Sequence, residues 1–261
     1  MGSDGSRLPV LRGYPARPGA VTHQTGEVTG GLQSTVAARI PGAAGLGLLA
    51  PPSARTVPGA ALADLDWAAR VIEARAEGLG TEDRRVLATV WWYSVSSVLV
   101  TPSLAGLATG IPLSARLADT SLSFLSGGMP VAAVSSAPGA DLAGELRESL
   151  AAAVSAVAAA GRMRERPLWA IATDSIANRL LALGRALGDV PRVTALAAPL
   201  AAAVGPPLPV PRYVDVAGAR FTRRASCCLL DEVPHEPRCT SCPRRAPAER
   251  QVLLEDAAVR I

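Results

Sequence analysis

Residues 223–245 read RRASCCLLDEVPHEPRCTSCPRR and contain all four cysteines of the 261-residue chain. Cys227 and Cys228 are adjacent, ten residues separate them from Cys239, and two more separate Cys239 from Cys242. Because a deprotonated thiol is a strong metal ligand, four cysteines within one short segment predict a ligand set. The rest of the fold is then expected to deliver this segment and to cover part of it.

Three kinds of site fit this spacing. A structural zinc site uses four tetrahedral thiolates, usually from two Cys-x2-Cys knuckles, and only Cys239 and Cys242 form such a knuckle. The side chains of Cys227 and Cys228 point apart in an extended segment, which the two irons of a [2Fe–2S] cluster accommodate more easily than one zinc ion. Disulfides need an oxidising compartment, and no segment predicts export. The spacing therefore favours an iron–sulfur cluster, with zinc second and disulfides third.

The residues around the cysteines form a recognisable pattern: Arg223-Arg224-x-Ser226-Cys227-Cys228-Leu229, then Pro234, then Cys239-x-x-Cys242-Pro243. This pattern resembles the C-terminal signature of the FhuF-like ferric siderophore reductases. The resemblance implies that Cys227, Cys228, Cys239 and Cys242 ligate a [2Fe–2S] cluster. The chain departs from the family at Leu230-Asp231-Glu232, where relatives often have an aromatic and a basic residue, so the surface that meets substrate or donor is not carried over.

The same resemblance implies a function. A ferric siderophore reductase passes one electron from its cluster to siderophore-bound Fe(III), so that Fe(II) is released in the cytoplasm. The implied partners are a ferric siderophore and a separate electron donor, a reductase or a ferredoxin-like protein, because the chain contains neither a dinucleotide fingerprint nor a phosphate-binding loop. Two other classes stay open: a zinc-stapled interaction module, and an iron–sulfur electron carrier or redox sensor without a siderophore site.

Charge and hydropathy bear on whether the protein binds nucleic acid, docks an anionic partner or spans a membrane. All 26 basic residues are arginine against 22 acidic residues, an arginine bias typical of a GC-rich genome, so the net charge of +4 does not indicate nucleic-acid binding. Arginines also flank the cysteines, and Arg223 and Arg224 are the predicted docking residues for an anionic partner; a solvated arginine-rich loop is the alternative. The apolar run 86–100 is too short to span a membrane. We expect a cytoplasmic protein with no transmembrane segment, compatible with peripheral association at the inner membrane face.

Periodicity predicts a predominantly helical α+β fold with a small β-hairpin or sheet and the C-terminal cysteine-rich loop. Apolar residues spaced three and four apart indicate helices over 61–77, 81–100, 141–160 and 167–187. Ser126-Gly127-Gly128 separates two β-forming runs and predicts a tight hairpin turn. Two further short strands, 213–216 and 219–222, are expected to lead into the paired cysteines.

The predicted organisation has three parts. Residues 1–60 form a loosely ordered leader rich in Gly, Pro and Ala, with one short helix near 32–39. Residues 61–212 form a helical substrate-binding region with a central β-hairpin, linked by a proline-rich stretch to the [2Fe–2S]-binding region at 213–261.

The sequence also gives expectations for the surroundings of several polar and aromatic residues. Asp174, Asn178 and Arg179 lie on one helix edge and are expected to face solvent, with substrate contact as the alternative. Of the adjacent Trp91 and Trp92, one is expected in the core, and the other packs or lines an interface or groove. His235 is expected in an exposed loop rather than as a ligand, and His23 lies in the leader.

Overall fold

The structure is a computed structural model and describes residues 31–261. The helices of this part of the chain are α1 (Leu32–Ala38), α2 (Leu65–Glu73), α3 (Ala76–Leu79), α4 (Arg84–Leu99), α5 (Thr101–Thr109), α6 (Leu142–Ala160), α7 (Glu165–Ala186), α8 (Val190–Ala195), α9 (Ala197–Val204) and α10 (Pro247–Ala258). The strands are β1 (Arg55–Pro58), β2 (Thr120–Phe124), β3 (Pro130–Ser135), β4 (Tyr213–Val216) and β5 (Ala219–Thr222). The predicted class, α+β and predominantly helical, is confirmed.

Two antiparallel sheets accompany the helices. β1, β2 and β3 form one sheet in that order, and the predicted turn at 126–128 joins β2 to β3. β4 and β5 form a separate hairpin whose two-residue turn, Ala217-Gly218, has positive φ at both positions (48° and 80°). Such a turn matches the natural twist of the flanking strands, so the hairpin is tight and returns the chain directly towards the cysteines.

The core is centred on α4 and α7, which pack against each other and against α6, and α4 also packs against β3. Trp91 and Trp92 are both fully buried, so the expectation that only one of them lies in the core is wrong. The Trp91 ring meets Trp67 edge-on at 5.8 Å, and the Trp92 indole N–H donates to the Leu168 carbonyl at 2.8 Å. Adjacent side chains on α4 both find packing partners because neighbouring elements cover this helix on several sides.

Residues 31–60 contribute directly to the core. The helix predicted near 32–39 is α1, and its Gln33 amide donates to the carbonyls of Leu48 and Ala133, both at 2.8 Å. The Gln33 carbonyl oxygen accepts from the Ser135 N–H, and the side chain is 3% exposed. A buried amide with all these partners ties the segment to the sheet. The division of the chain into a leader and two regions stays a prediction, and His23 lies outside the described residues.

Helix ends differ from the predicted ones where side chains cap them. The helix expected over 61–77 is a 3-10 turn followed by α2 and α3, because Asp64 caps α2 by accepting from the Trp67 N–H at 2.8 Å. Asp83, rather than Thr81, caps α4. α4 ends at Leu99, before Pro102 as expected, and Pro102 lies in the first turn of a further helix, α5, a position at which proline is well tolerated.

The C-terminal region lies against both central helices. β5 packs on α7, α10 packs on β4, and the 3-10 turn Leu230–Glu232 packs on α4. Among the helices of residues 31–261, none has the length and apolar character needed to cross a membrane.

Candidate metal centre

The backbone that precedes the paired cysteines is held by a buried carboxylate. Asp174 on α7 is 1% exposed and accepts hydrogen bonds from the N–H groups of Ala225 at 2.7 Å and Ser226 at 3.2 Å. The expectation that Asp174 faces solvent is therefore wrong. The segment after β5 docks over this part of α7 and converts a polar helix edge into an anchor for the cysteine segment.

The four thiols lie in two pairs. The Sγ atoms of Cys227 and Cys242 are 3.9 Å apart, and those of Cys228 and Cys239 lie together beside Nη1 of Arg224, at 3.6 and 3.1 Å from it. All four cysteines are free; Cys228 and Cys242 are buried, and the other two are partly exposed. Within residues 31–261, no three Cys, His, Asp or Glu side chains converge on one point as single-ion ligands. The sulfurs of Cys227 and Cys242 thus form one pair, and those of Cys228 and Cys239, which share Nη1 of Arg224, form another.

Local backbone geometry explains why the adjacent cysteines have different partners. Leu229 has a left-handed conformation (φ 60°), and its N–H donates to the Cys227 Sγ at 3.4 Å. The 3-10 turn that follows reverses the chain, so that Cys239 returns to Cys228 and Cys242 returns to Cys227. The divergence of the paired side chains expected from the sequence is therefore built into the loop.

Arg224 lies beside one of these pairs. Its guanidinium donates through Nη1 to the Sγ of Cys239 at 3.1 Å and of Cys228 at 3.6 Å. On other sides it meets Asp174 through Nε at 3.4 Å and stacks over the Tyr93 ring at 4.9 Å. The residue is 8% exposed, and its buried Nη2 has no hydrogen-bond partner among residues 31–261. Arg224 was predicted as a docking residue, but its buried side chain is directed at the thiols.

This packing shifts the pKa values of the site. The hydrogen bond from Cys239 and the charge of Arg224 outweigh burial and lower the pKa of Cys228, whereas the hydrogen bond to Cys228 and burial raise the pKa of Cys239. Burial also raises the pKa of Cys227 to about 11. The lowered pKa favours the thiolate form of Cys228, which is the form that ligates a metal, whereas Cys227 and Cys239 would have to release protons to act as ligands.

The two partners of the buried ion pair beside the thiols differ, because the pKa shift disfavours the charged form of Asp174 and favours that of Arg224. Burial raises the pKa of Asp174 in spite of the hydrogen bonds that it accepts. Burial opposes the charge of Arg224, but its neighbours, with Cys228 contributing most, together outweigh burial and the pKa of Arg224 is raised. The thiols therefore favour the charged guanidinium beside them.

Acidic residues hold the loop between the cysteines. Asp231 pairs with Arg238 at 2.9 Å and with Arg244 at 3.4 Å, and it accepts a hydrogen bond from the Cys227 thiol at 3.5 Å. Glu232 joins Arg244 at 2.8 Å to Arg85, at the start of α4, at 2.7 Å. This ion-pair network ties the loop to the helical core.

Most arginines around the cysteines have partners within this chain. Arg245 donates to the Cys239 carbonyl at 3.0 Å, and Arg250 donates to the Cys242 carbonyl at 3.4 Å. Arg220 pairs with Asp215 at 2.7 Å. Of the two predicted docking residues, Arg223 is exposed. The flanking arginines thus mainly shape the loop, and docking through Arg223 stays a prediction.

The other candidate residues lie apart from the thiols. Arg179 donates to the Ser97 hydroxyl at 2.6 Å, and both Arg179 and Asn178 are partly buried rather than fully solvated. His235 is exposed in the loop, at a positive φ of 67°. Tyr93 was missed because no local pattern distinguishes a tyrosine that stacks on a buried arginine from one that packs on a helix.

Comparison with known proteins agrees with the geometry. Residues 224–244 match the sequence model of the FhuF 2Fe-2S C-terminal domain, and the matched segment contains all four cysteines. The resemblance predicted from the cysteine pattern is confirmed, and so is the predicted cofactor, a [2Fe–2S] cluster. No curated protein matches the chain significantly.

Proposed function

We propose that this protein is a ferric siderophore reductase whose [2Fe–2S] cluster is ligated by Cys227, Cys228, Cys239 and Cys242. The observation that carries the proposal is the pairwise arrangement of four free thiols inside the segment that matches a [2Fe–2S] domain. When bound, such a cluster supplies single electrons at a potential tuned by its surroundings.

The donor set fits this group. Two thiolates on one tetrahedral ion with bonds of about 2.3 Å lie about 3.8 Å apart, close to the 3.9 Å between Cys227 and Cys242. Cys228 and Cys239, whose sulfurs both lie within 3.6 Å of Nη1 of Arg224, form the second pair. Nη2 of Arg224 is a buried donor without an acceptor, and a sulfur of the cluster would supply one. We therefore assign Cys227 and Cys242 to one iron and Cys228 and Cys239 to the other.

The chemistry of the substrate explains why one electron is enough. Siderophores hold Fe(III) through hard, mostly anionic oxygens, and a single electron converts it to Fe(II), which these ligands hold less tightly. The electron comes from a separate one-electron donor, a reductase or a ferredoxin-like protein, so one donor oxidation balances one Fe(III) reduction. The reaction yields Fe(II) and the free chelator, and we place it in the cytoplasm.

The chain's own residues position this exchange. Cys227 and Cys239 are partly exposed and lie in a surface loop, so a bulky chelate can approach without entering a deep cavity. Exposed Arg223 adds a positive charge beside the loop, which attracts an anionic chelate or donor. In this proposal residues 213–261 carry the cluster, and residues 61–212 supply the surface around it.

Two measurements test the proposal. Anaerobically purified protein should be reddish-brown and contain two irons and two sulfides per chain. Colourless protein with one zinc would refute the cluster and support a zinc-stapled interaction module.

Stopped-flow mixing of the reduced protein with ferric chelates then tests the substrate. A ferric siderophore should reoxidise the protein faster than the iron-free siderophore does. Equal, slow reoxidation by every ferric chelate and by oxygen would instead indicate an electron carrier or redox sensor.

A further inference from the structure

The two thiol pairs have opposite electrostatic surroundings. The Arg224 guanidinium lies within 3.1 and 3.6 Å of the sulfurs of Cys239 and Cys228. The Asp231 carboxylate lies 3.5 Å from the sulfur of Cys227, in the other pair. A fixed positive charge thus faces one pair and a negative charge faces the other.

Burial makes the positive charge effective. An arginine keeps its proton under all ordinary conditions, and the side chain of Arg224 is 3% exposed, so solvent and salt screen it little. Its counter-ion, Asp174, contacts the Nε edge of the guanidinium and also accepts hydrogen bonds from two backbone N–H groups. Nη1, on another edge, faces the sulfurs. The thiols therefore lie next to the positive end of this ion pair.

The negative charge is weaker. Asp231 pairs with Arg238 and Arg244, whose side chains are 47% and 43% exposed, and these two charges offset the carboxylate. Arg224 therefore dominates the difference between the two pairs.

We propose that Arg224 is a positioning residue that directs the reducing electron to the iron held by Cys228 and Cys239 and raises the reduction potential of the cluster. Asp231 has the opposite effect, on the Cys227–Cys242 side. The physical reason is that a nearby positive charge stabilises the form that carries one more electron. This inference rests on the proposed cluster, but it requires no siderophore and no particular donor.

Redox titration of the purified holoprotein tests the potential. Arg224→Gln should shift the one-electron equilibrium at least tenfold towards the oxidised form, a fall of about 59 mV. Arg224→Lys keeps the positive charge and should lower the reduction potential less than Arg224→Gln does. The matched control is Arg223→Gln, which removes the same charge from an exposed neighbour and should shift the equilibrium less than about threefold, and less still in high salt.

If Arg224→Gln fails to fold, a variant beside the Cys227–Cys242 pair still tests the inference. Asp231→Asn leaves Arg224 intact and should raise the potential, a change of sign that simple loosening of the site would not produce. Mössbauer spectra of reduced, ⁵⁷Fe-loaded protein then locate the electron: Cys239→Ser should alter the Fe(II) signal, and Cys242→Ser the Fe(III) signal.

Three results would overturn the inference. If Arg224→Gln keeps an intact cluster with an unchanged reduction potential, Arg224 does not have the proposed role. The same follows if Cys242→Ser, rather than Cys239→Ser, alters the Fe(II) signal. Protein without iron would overturn both this inference and the proposed function. Slow, non-selective reaction with ferric chelates would overturn only the proposed substrate.

Discussion

Replacing Asp174 by alanine should release the cysteine segment from the helical core. The side chain is 1% exposed and carries three contacts: the N–H groups of Ala225 and Ser226, and the guanidinium of Arg224. Asp174→Ala removes all three acceptor contacts at once. It leaves a buried arginine without its counter-ion and two backbone N–H groups without an acceptor.

The magnitude follows from these contacts. Removing one partner of a buried ion pair costs about 3–5 kcal/mol, because the remaining charge stays buried and uncompensated. This cost falls on the docked segment alone, since Arg224 regains water when the segment opens. A cost of about 3 kcal/mol raises the open population by roughly two powers of ten.

Hydrogen exchange followed by mass spectrometry measures this opening. Peptides covering 219–230 should exchange roughly a hundredfold faster in Asp174→Ala, whereas peptides from α6 should be unchanged. Asp189→Ala is the matched control: Asp189 also accepts a backbone N–H, at 3.1 Å, and pairs with an arginine at 3.0 Å, but its side chain is 44% exposed. Its loss should cost no more than about 1–2 kcal/mol. Unchanged exchange at 219–230 in Asp174→Ala would refute the anchoring role.

Three further predictions follow from the same structure. Cys228→Ser should lose iron and visible absorbance while keeping most helical circular dichroism, because the helices have their own apolar core; complete loss of helix would show one cooperative unit. Arg223→Glu should slow reoxidation by an anionic ferric chelate in stopped-flow, with a loss that shrinks in high salt, whereas the same reversal at exposed Arg260 should have no effect. Glu145 is buried, which alone would raise its pKa, but the backbone N–H groups and the arginine it contacts lower the pKa below the ordinary 4.5. Its contribution to stability is therefore present above pH 4.5 and is lost as pH falls through the folded-state pKa. The thermal stability of Glu145→Gln should accordingly depend less on acid pH than that of the wild type. Parallel curves of thermal stability against pH for the two proteins would refute this.

Features that depend only on residues close together in the chain could be predicted from the sequence. The spacing of the four cysteines favoured an iron–sulfur cluster, and the resemblance of the residues around them to a known signature implied the [2Fe–2S] cofactor, which the match over 224–244 confirms. Strands 213–216 and 219–222 were predicted with the bounds that β4 and β5 have, because the positive-φ turn between them is a local property.

The surroundings of each polar side chain, in contrast, depend on segments that are distant in the sequence. Asp174 is polar at a position that helix spacing alone places on an edge, and it becomes buried because residues fifty positions later dock on it. Arg224 differs from exposed Arg223 by one position, yet it turns inward between Tyr93, Asp174 and the thiols. Local periodicity records which residues share a face, whereas burial and pairing depend on the distant segment that covers that face.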